Sequence, residues 1–144
     1  MVARLLLSAL VTVVMFTPEA HAGPMPDDSG HDPTVRTVFD QATNVPGKSM
    51  VGVTVSYPPG ARSRAHHHAD SAFIMAYVMA GMIRSQVDGE PVRTYHAGET
   101  WVECPGAHHT ISENASTTEP AELLAVFLVD TEDDPLTADD IAAG

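Results

Sequence analysis

Histidines carry the chemistry that can be read first in this 144-residue chain. His66, His67 and His68 stand together after Pro58-Pro59-Gly60, at the end of a glycine turn that runs into an extended segment. On a strand, side chains at i and i+2 share a face. His66 and His68 therefore aim at one point, while His67 faces away. Two imidazoles converging in this way are the start of a transition-metal site. A third nitrogen is available about forty residues on, from the pair His108-His109 behind Cys104-Pro105-Gly106. The run is internal and flanked by strand-like sequence, which argues against a tag; a solvated polyhistidine loop is the competing reading. His96 stands in a turn and has no special claim.

The segments that must position these residues are short and β-like. Val35–Phe39 is a first strand, and Lys48–Tyr57 a stronger one, with Val51, Val53 and Val55 on one face. Phe73–Ala80 is a nearly continuous apolar run, parted at Gly81 from a second strand, Met82–Val87. Asp88-Gly89 is a hairpin signal, answered by Val92–Tyr95. Thr100–Glu103, His109–Ser112 and a last buried strand, Ala121–Val129, follow. Thr137–Ala143 reads as one terminal helical turn capped by Thr137, or as a frayed end. Strands about ten residues apart, punctuated by Gly and Pro, predict an all-β sandwich or barrel. No repeat of propeller or solenoid length is visible.

The length allows one domain. Residues 1–22 read as a secretory signal peptide: Arg4 supplies the positive region, Leu5–Phe16 the short apolar core, and Ala20-His21-Ala22 the cleavage site. The apolar run falls short of the ~20 residues that span a bilayer. The expected product begins at Gly23 and is soluble and exported, to the periplasm or beyond. Residues 23–33 read as a disordered leader, 34–131 as the barrel and 132–144 as an acidic tail. The single cysteine, Cys104, has no partner within the chain. A formal charge of −12 argues against nucleic acid and anionic membrane surfaces as partners.

With these residues in view the chain resembles the cupin family, small jelly-roll β-barrels with a metal site in the mouth. The family's first motif, G-x5-H-x-H-x3,4-E-x6-G, is matched by Gly60, His66 and His68, with Gly81 at its end one residue late. The second, G-x5-P-x-G-x2-H-x3-N, is matched by Gly98, Gly106 and His109, with Cys104 in the place of its proline and Asn114 one residue late. The resemblance spans Gly60–Asn114 and implies a metal held by His66, His68 and His109. It depends on the family's spacing to choose His109 over His108. The motif-one glutamate is missing: counting seven back from Gly81 lands on Ile74, and the residues around it are Ala72, Phe73 and Met75. Three imidazoles suit Fe, Zn, Ni or Cu and disfavour Mg and Ca, which prefer oxygen. They also leave coordination positions open to water or substrate. The resemblance further implies pairing of barrels into a homodimer.

Glu103, just before the Cys-Pro-Gly turn, is the candidate fourth ligand or outer-shell orienter, and its competing reading is a solvent-facing strand residue. Asp70 is nearer the histidines but sits in a turn. Gln86 and Tyr77 are candidates for polar groups inside the barrel, and Phe73 and Trp101 for its core. Arg62, Arg64 and Arg84 could clamp an anionic substrate, or lie on the surface. Cys104 could pair with His109 as a nucleophile, but lacks an orienting third group; a cavity-lining thiol open to oxidation is the simpler reading. Asn114-Ala115-Ser116 matches a glycosylation sequon. Three functions compete: an oxygen-using oxidoreductase acting on a small molecule, a non-catalytic holder of metal and small ligand, and a metal-free barrel.

Overall fold

The computed structural model describes residues 32–141, so the expected signal peptide (1–22) and all but the last two residues of the leader lie outside it. The described residues form ten strands and no helix. These are β1 (Thr34–Ala42), β2 (Lys48–Tyr57), β3 (His66–His68), β4 (Phe73–Ala80), β5 (Met82–Val87), β6 (Arg93–His96), β7 (Thr100–Glu103), β8 (His108–Asn114), β9 (Ala121–Asp130) and β10 (Thr137–Asp139). They pair into two five-stranded sheets, β1-β2-β9-β4-β7 and β10-β3-β8-β5-β6, antiparallel throughout.

Turn chemistry fixes where the chain changes sheets. Gly81 ends β4 in the first sheet and starts β5 in the second, at φ 70°. Its position is more demanding than the positive φ alone, because a Cβ there would lie 2.5 Å from the Pro120 carbonyl oxygen. Asp88 and Gly89 both take positive φ between β5 and β6, as the expected tight hairpin requires.

The inner faces pack against each other. One apolar cluster gathers Tyr57, Ala76, Val78, Ile83, Trp101 and Leu123. A second holds Val51, Val53, Ala72, Ile74, Phe127 and Val129, and both reach Val55 and Ala125. The alternation expected for Val51, Val53 and Val55 is observed, since Val51 and Val53 are buried and Val55 packs on both clusters.

Three expectations about the elements change. β1 begins one residue before Val35 and runs on past Phe39 to Ala42, because β2 is long enough to pair with it from Thr34 to Ala42. Thr137–Asp139 is a strand rather than a helical turn, and it completes the edge of β3 by pairing Thr137 with His68 and Asp139 with His66. Phe73 and Tyr77 do not enter the barrel: with Met75 and Met79 they form the exposed face of β4, whose inner face is Ile74, Ala76 and Val78. The outer face of the first sheet is therefore apolar, extended by Met50, Leu128 and Val102.

Candidate metal centre

Strand register settles which histidines meet. In the antiparallel β3–β8 pair, His66 lies opposite His109 and His67 opposite His108. Directly opposed residues share a face, so His109 joins His66 and His68 inside while His108 joins His67 outside. One ring nitrogen of each of His66, His68 and His109 lies within 4.8 Å of the others. The ring centroids are 4.9 Å apart for His66–His68, 5.2 Å for His66–His109 and 6.0 Å for His68–His109. His68 and His109 are buried, and His66 is partly open toward the mouth.

Glu103 points inward, only 3% exposed, so the solvent-facing alternative is ruled out. Its Oε2 lies 2.8 Å from His68 Nε2 and its Oε1 3.4 Å from His109 Nδ1. The Trp101 indole N–H donates to Oε1 at 2.9 Å and orients the carboxylate. Glu103 is the register partner of Ile74 across β4–β7. The position where the motif expects a glutamate is thus apolar, and the neighbouring strand supplies a carboxylate at the same level.

The polar atoms here are not mutually satisfied. Oε2 of Glu103 and both ring nitrogens of His68 are buried without a hydrogen bond, since the 2.8 Å contact is not aligned as donor to acceptor. Leaving such groups unpaired costs on the order of 1–3 kcal/mol each. The other two rings are anchored: His109 Nε2 meets Ser85 Oγ at 2.9 Å, and His66 Nδ1 meets the Arg64 carbonyl at 2.7 Å.

Electrostatics favour a cation at this point. Burial lowers the His109 pKa to about 4, and burial likewise lowers His66, opposed by the Arg64 carbonyl. Burial alone would raise the Glu103 carboxyl, but its contact with His68, the fields of both histidines and the Trp101 N–H outweigh that and hold it below the usual range. A carboxylate beside His66 and His109 imidazoles held neutral by burial is the protonation pattern a divalent ion requires. The donor set and the orphaned atoms fit such an ion.

The histidines open into a cavity of about 420 Å³ between the sheets, within the size range of small-molecule sites. Apolar wall comes from Val53, Val55, Ala125 and Phe127, whose ring lies edge-on to His68 at 5.7 Å. Polar groups come from Tyr57, Ser63, Ser112 and Asp139, with Arg62 and Arg64 also on the lining. The Tyr57 hydroxyl is 2.9 Å from Ser63 Oγ and 2.8 Å from Ser112 Oγ; burial raises its pKa, so the phenol stays protonated.

Other candidates fall elsewhere. Arg84 pairs with Glu113 on the outer face. Gln86 bonds Thr110 and the Glu90 carbonyl outside the barrel, and Tyr77 is exposed, so neither contributes to the interior. Cys104 is exposed and does not line the cavity, because it follows inward-facing Glu103 as the chain leaves β7. Asp70 stays in its turn beside Gly106. Asn114 is buried, donating to the carbonyls of Pro58 and Glu119 and accepting from the Ser116 N–H, so its side chain is not presented as a glycosylation acceptor.

Tyr57, Ser85 and Ser112 escape a reading of motifs. Ser112 escapes for a definite reason. A β-bulge shifts the β5–β8 register between Gln86 and Val87, so His109 and Ser112 share the inner face although three residues apart.

Two antiparallel five-stranded sheets around a histidine-lined cavity define a small jelly-roll β-barrel. The chain belongs to the cupin family, whose cupin-domain model matches residues 53–127, just over half of the chain. Solved structures with this fold include TT1209 from Thermus thermophilus, with TM-score 0.55 and 23% identity over 68% of this chain and 84% of that one. An uncharacterized conserved protein with a double-stranded beta-helix domain from Klebsiella pneumoniae gives TM-score 0.59 and 18% identity over 83% and 98%. DMSP lyase DddQ from Ruegeria pomeroyi gives TM-score 0.64 and 16% identity over 89% of this chain and 61% of the lyase. These identities make the likeness one of fold. Among curated proteins no sequence matches.

Proposed function

We propose that this cupin holds one divalent transition metal on His66, His68 and His109, with Glu103 as fourth ligand or as the group that orients His68 and His109. The observation that carries this reading is the buried, unpaired edge shared by His68 and Glu103 inside the histidine triad. Such an ion would supply a Lewis acid or an electron-transfer centre. The cavity would take a small molecule: Tyr57 offers a protonated hydroxyl, Arg62 and Arg64 positive charge, and Phe127 and the valines exclude water. An oxygen-using oxidoreductase is the reaction class we favour. A non-catalytic holder of metal and ligand is the second reading, favoured by the placement of the free carboxylates of the lining, Asp32 and Asp139, on exposed residues rather than among the buried histidines. The fold does not choose between them, since the solved structures that share it include a lyase.

Elemental analysis of untagged protein beside a His66→Ala/His109→Ala variant tests the site. About one Fe, Zn, Ni or Cu per chain in the wild type and none in the variant is the expected result. No metal in either after reloading sinks the reading. Oxygen uptake by the iron-loaded protein with candidate small molecules then separates turnover from storage. Export is also part of the proposal, and N-terminal sequencing of the protein recovered from its source should start at Gly23. We further propose a homodimer, because the apolar outer face of the first sheet offers a second copy a self-matching surface.

A further inference from the structure

The alternation that sends three histidines inward sends two outward. His67 and His108 lie opposite each other on the outer face of the β3–β8 pair. Their rings stack at 4.1 Å between centroids and 9° between planes. A carboxylate closes the pair: Asp140 Oδ2 is 2.9 Å from His108 Nε2, and Oδ1 is 3.8 Å from His67 Nε2. Asp140 follows β10 directly and is held beside β3 by its N–H, which donates to the Ala65 carbonyl at 2.9 Å. On the other side, Asp88 Oδ1 accepts the His108 backbone N–H at 2.8 Å. Three adjacent strands thus each contribute, or end beside, one donor, and those donors lie within 4.8 Å of one another.

We propose that His67, His108 and Asp140 form a second divalent-metal site, on the outer face of the sheet whose inner face carries the triad. Two imidazoles and one carboxylate with the remaining positions open suit Zn, Ni or Cu. The side chains are partly solvated, between 35% and 55% exposed. The ion therefore exchanges freely with solution and is held more weakly than one in the buried triad. Its occupancy has a structural consequence. It ties the end of β10 to β3 and β8, and β10 carries Thr137 and Asp139 along the cavity wall. Metal on the outside would hold one side of the cavity in place.

The test is equilibrium dialysis of the full chain against Zn(II), with bound metal counted in four proteins. These are the wild type, Asp140→Asn, His66→Ala/His109→Ala, and that double variant carrying Asp140→Asn as well. Two equivalents in the wild type are expected, the weaker one loosened about tenfold or more by Asp140→Asn. The His66→Ala/His109→Ala protein should keep one equivalent, lost when Asp140→Asn is added. That outcome supports the outer site even if the wild type binds only there and the triad binds nothing. If zinc follows the triad alone, or if Asp140→Asn leaves every affinity unchanged, the outer cluster is an ion pair only and the proposal is overturned. Asp140 is exposed and absent from the apolar clusters, so its substitution leaves folding intact and the wild-type/Asp140→Asn comparison stands by itself. Hydrogen exchange gives an independent readout: Zn(II) should slow the amides of residues 137–140 in the triad-less protein and not in its Asp140→Asn derivative.

Discussion

At the scale of single residues, Glu103 concentrates the most consequence. It touches two of the three inner histidines, accepts from Trp101 and sits in a nearly dry environment. Glu103→Gln keeps the volume and removes the charge, and should weaken metal retention about 10–100-fold, read by competition with a chelator. Unchanged retention would reduce the residue to a structural role. His109 makes a prediction about the metal-free protein. Its imidazole has a pKa near 6.5 when unfolded and about 4 when folded. Between those values the unfolded chain binds more protons than the folded one, so stability falls as pH falls from about 6.5 toward 4. The loss is on the order of 3 kcal/mol, and the depressed Glu103 carboxyl adds to it in more acidic solution. Urea midpoints of metal-free protein across that range should show the decline, and His109→Gln should remove much of it. The inner histidines were legible in the sequence because a strand's period is fixed by its backbone. The Glu103 orientation was not, since it depends on a register with Ile74 that only the folded sheet creates.

Among the elements, the crossing at Gly81 is the most constrained turn. Gly60 and Gly81 have similar positive φ, 74° and 70°. A Cβ at Gly60 meets nothing within 4 Å, whereas at Gly81 it meets the Pro120 carbonyl and Ala121 below 3 Å. Gly60→Ala should cost about 1 kcal/mol from backbone conformation. Gly81→Ala should cost more than about 2 kcal/mol, because β4, β5 and the start of β9 must separate. Equal costs by chemical denaturation would refute the close-approach account. Where the elements depart from the sequence pattern, side-chain alternation carries no usable signal. Phe73–Ala80 is apolar on both faces, so alternation carries no information about which face is inside. β10 is three residues in an acidic stretch without apolar period, and the open edge of β3 defines it. The bulge in β8 breaks period two where Ser112 must be counted from His109.

For the whole molecule, the unusual surface is the outer face of the first sheet. Phe73, Met75, Tyr77, Met79, Val102 and Leu128 are each at least 36% exposed across three adjacent strands. A contiguous apolar face of this kind is normally covered by a partner, and a net charge of −12 would keep such pairing from running on into aggregation. Sedimentation velocity should show a concentration-dependent dimer, and Met75→Glu/Val102→Lys should shift it to monomer without altering bound inner metal. A wild type that sediments as a monomer at every concentration would leave this face without its second copy. The barrel class itself was readable from the short apolar runs and their turns, because Gly, Pro and alternation report local backbone directly. Sheet order and outer packing required contacts between distant segments.

Trp101 is the chain's only tryptophan, and its ring centroid lies 6.4 Å from that of His109. The protein's entire indole fluorescence therefore arises beside the inner site, on the residue that hydrogen-bonds Glu103. Copper, nickel or iron entering the triad should quench that emission strongly, while zinc should shift it with little loss of intensity. Ions on His67 and His108, on the opposite face of the sheet, should leave the emission nearly untouched. The barrel carries its own label, able to tell the filling of one site from the filling of the other.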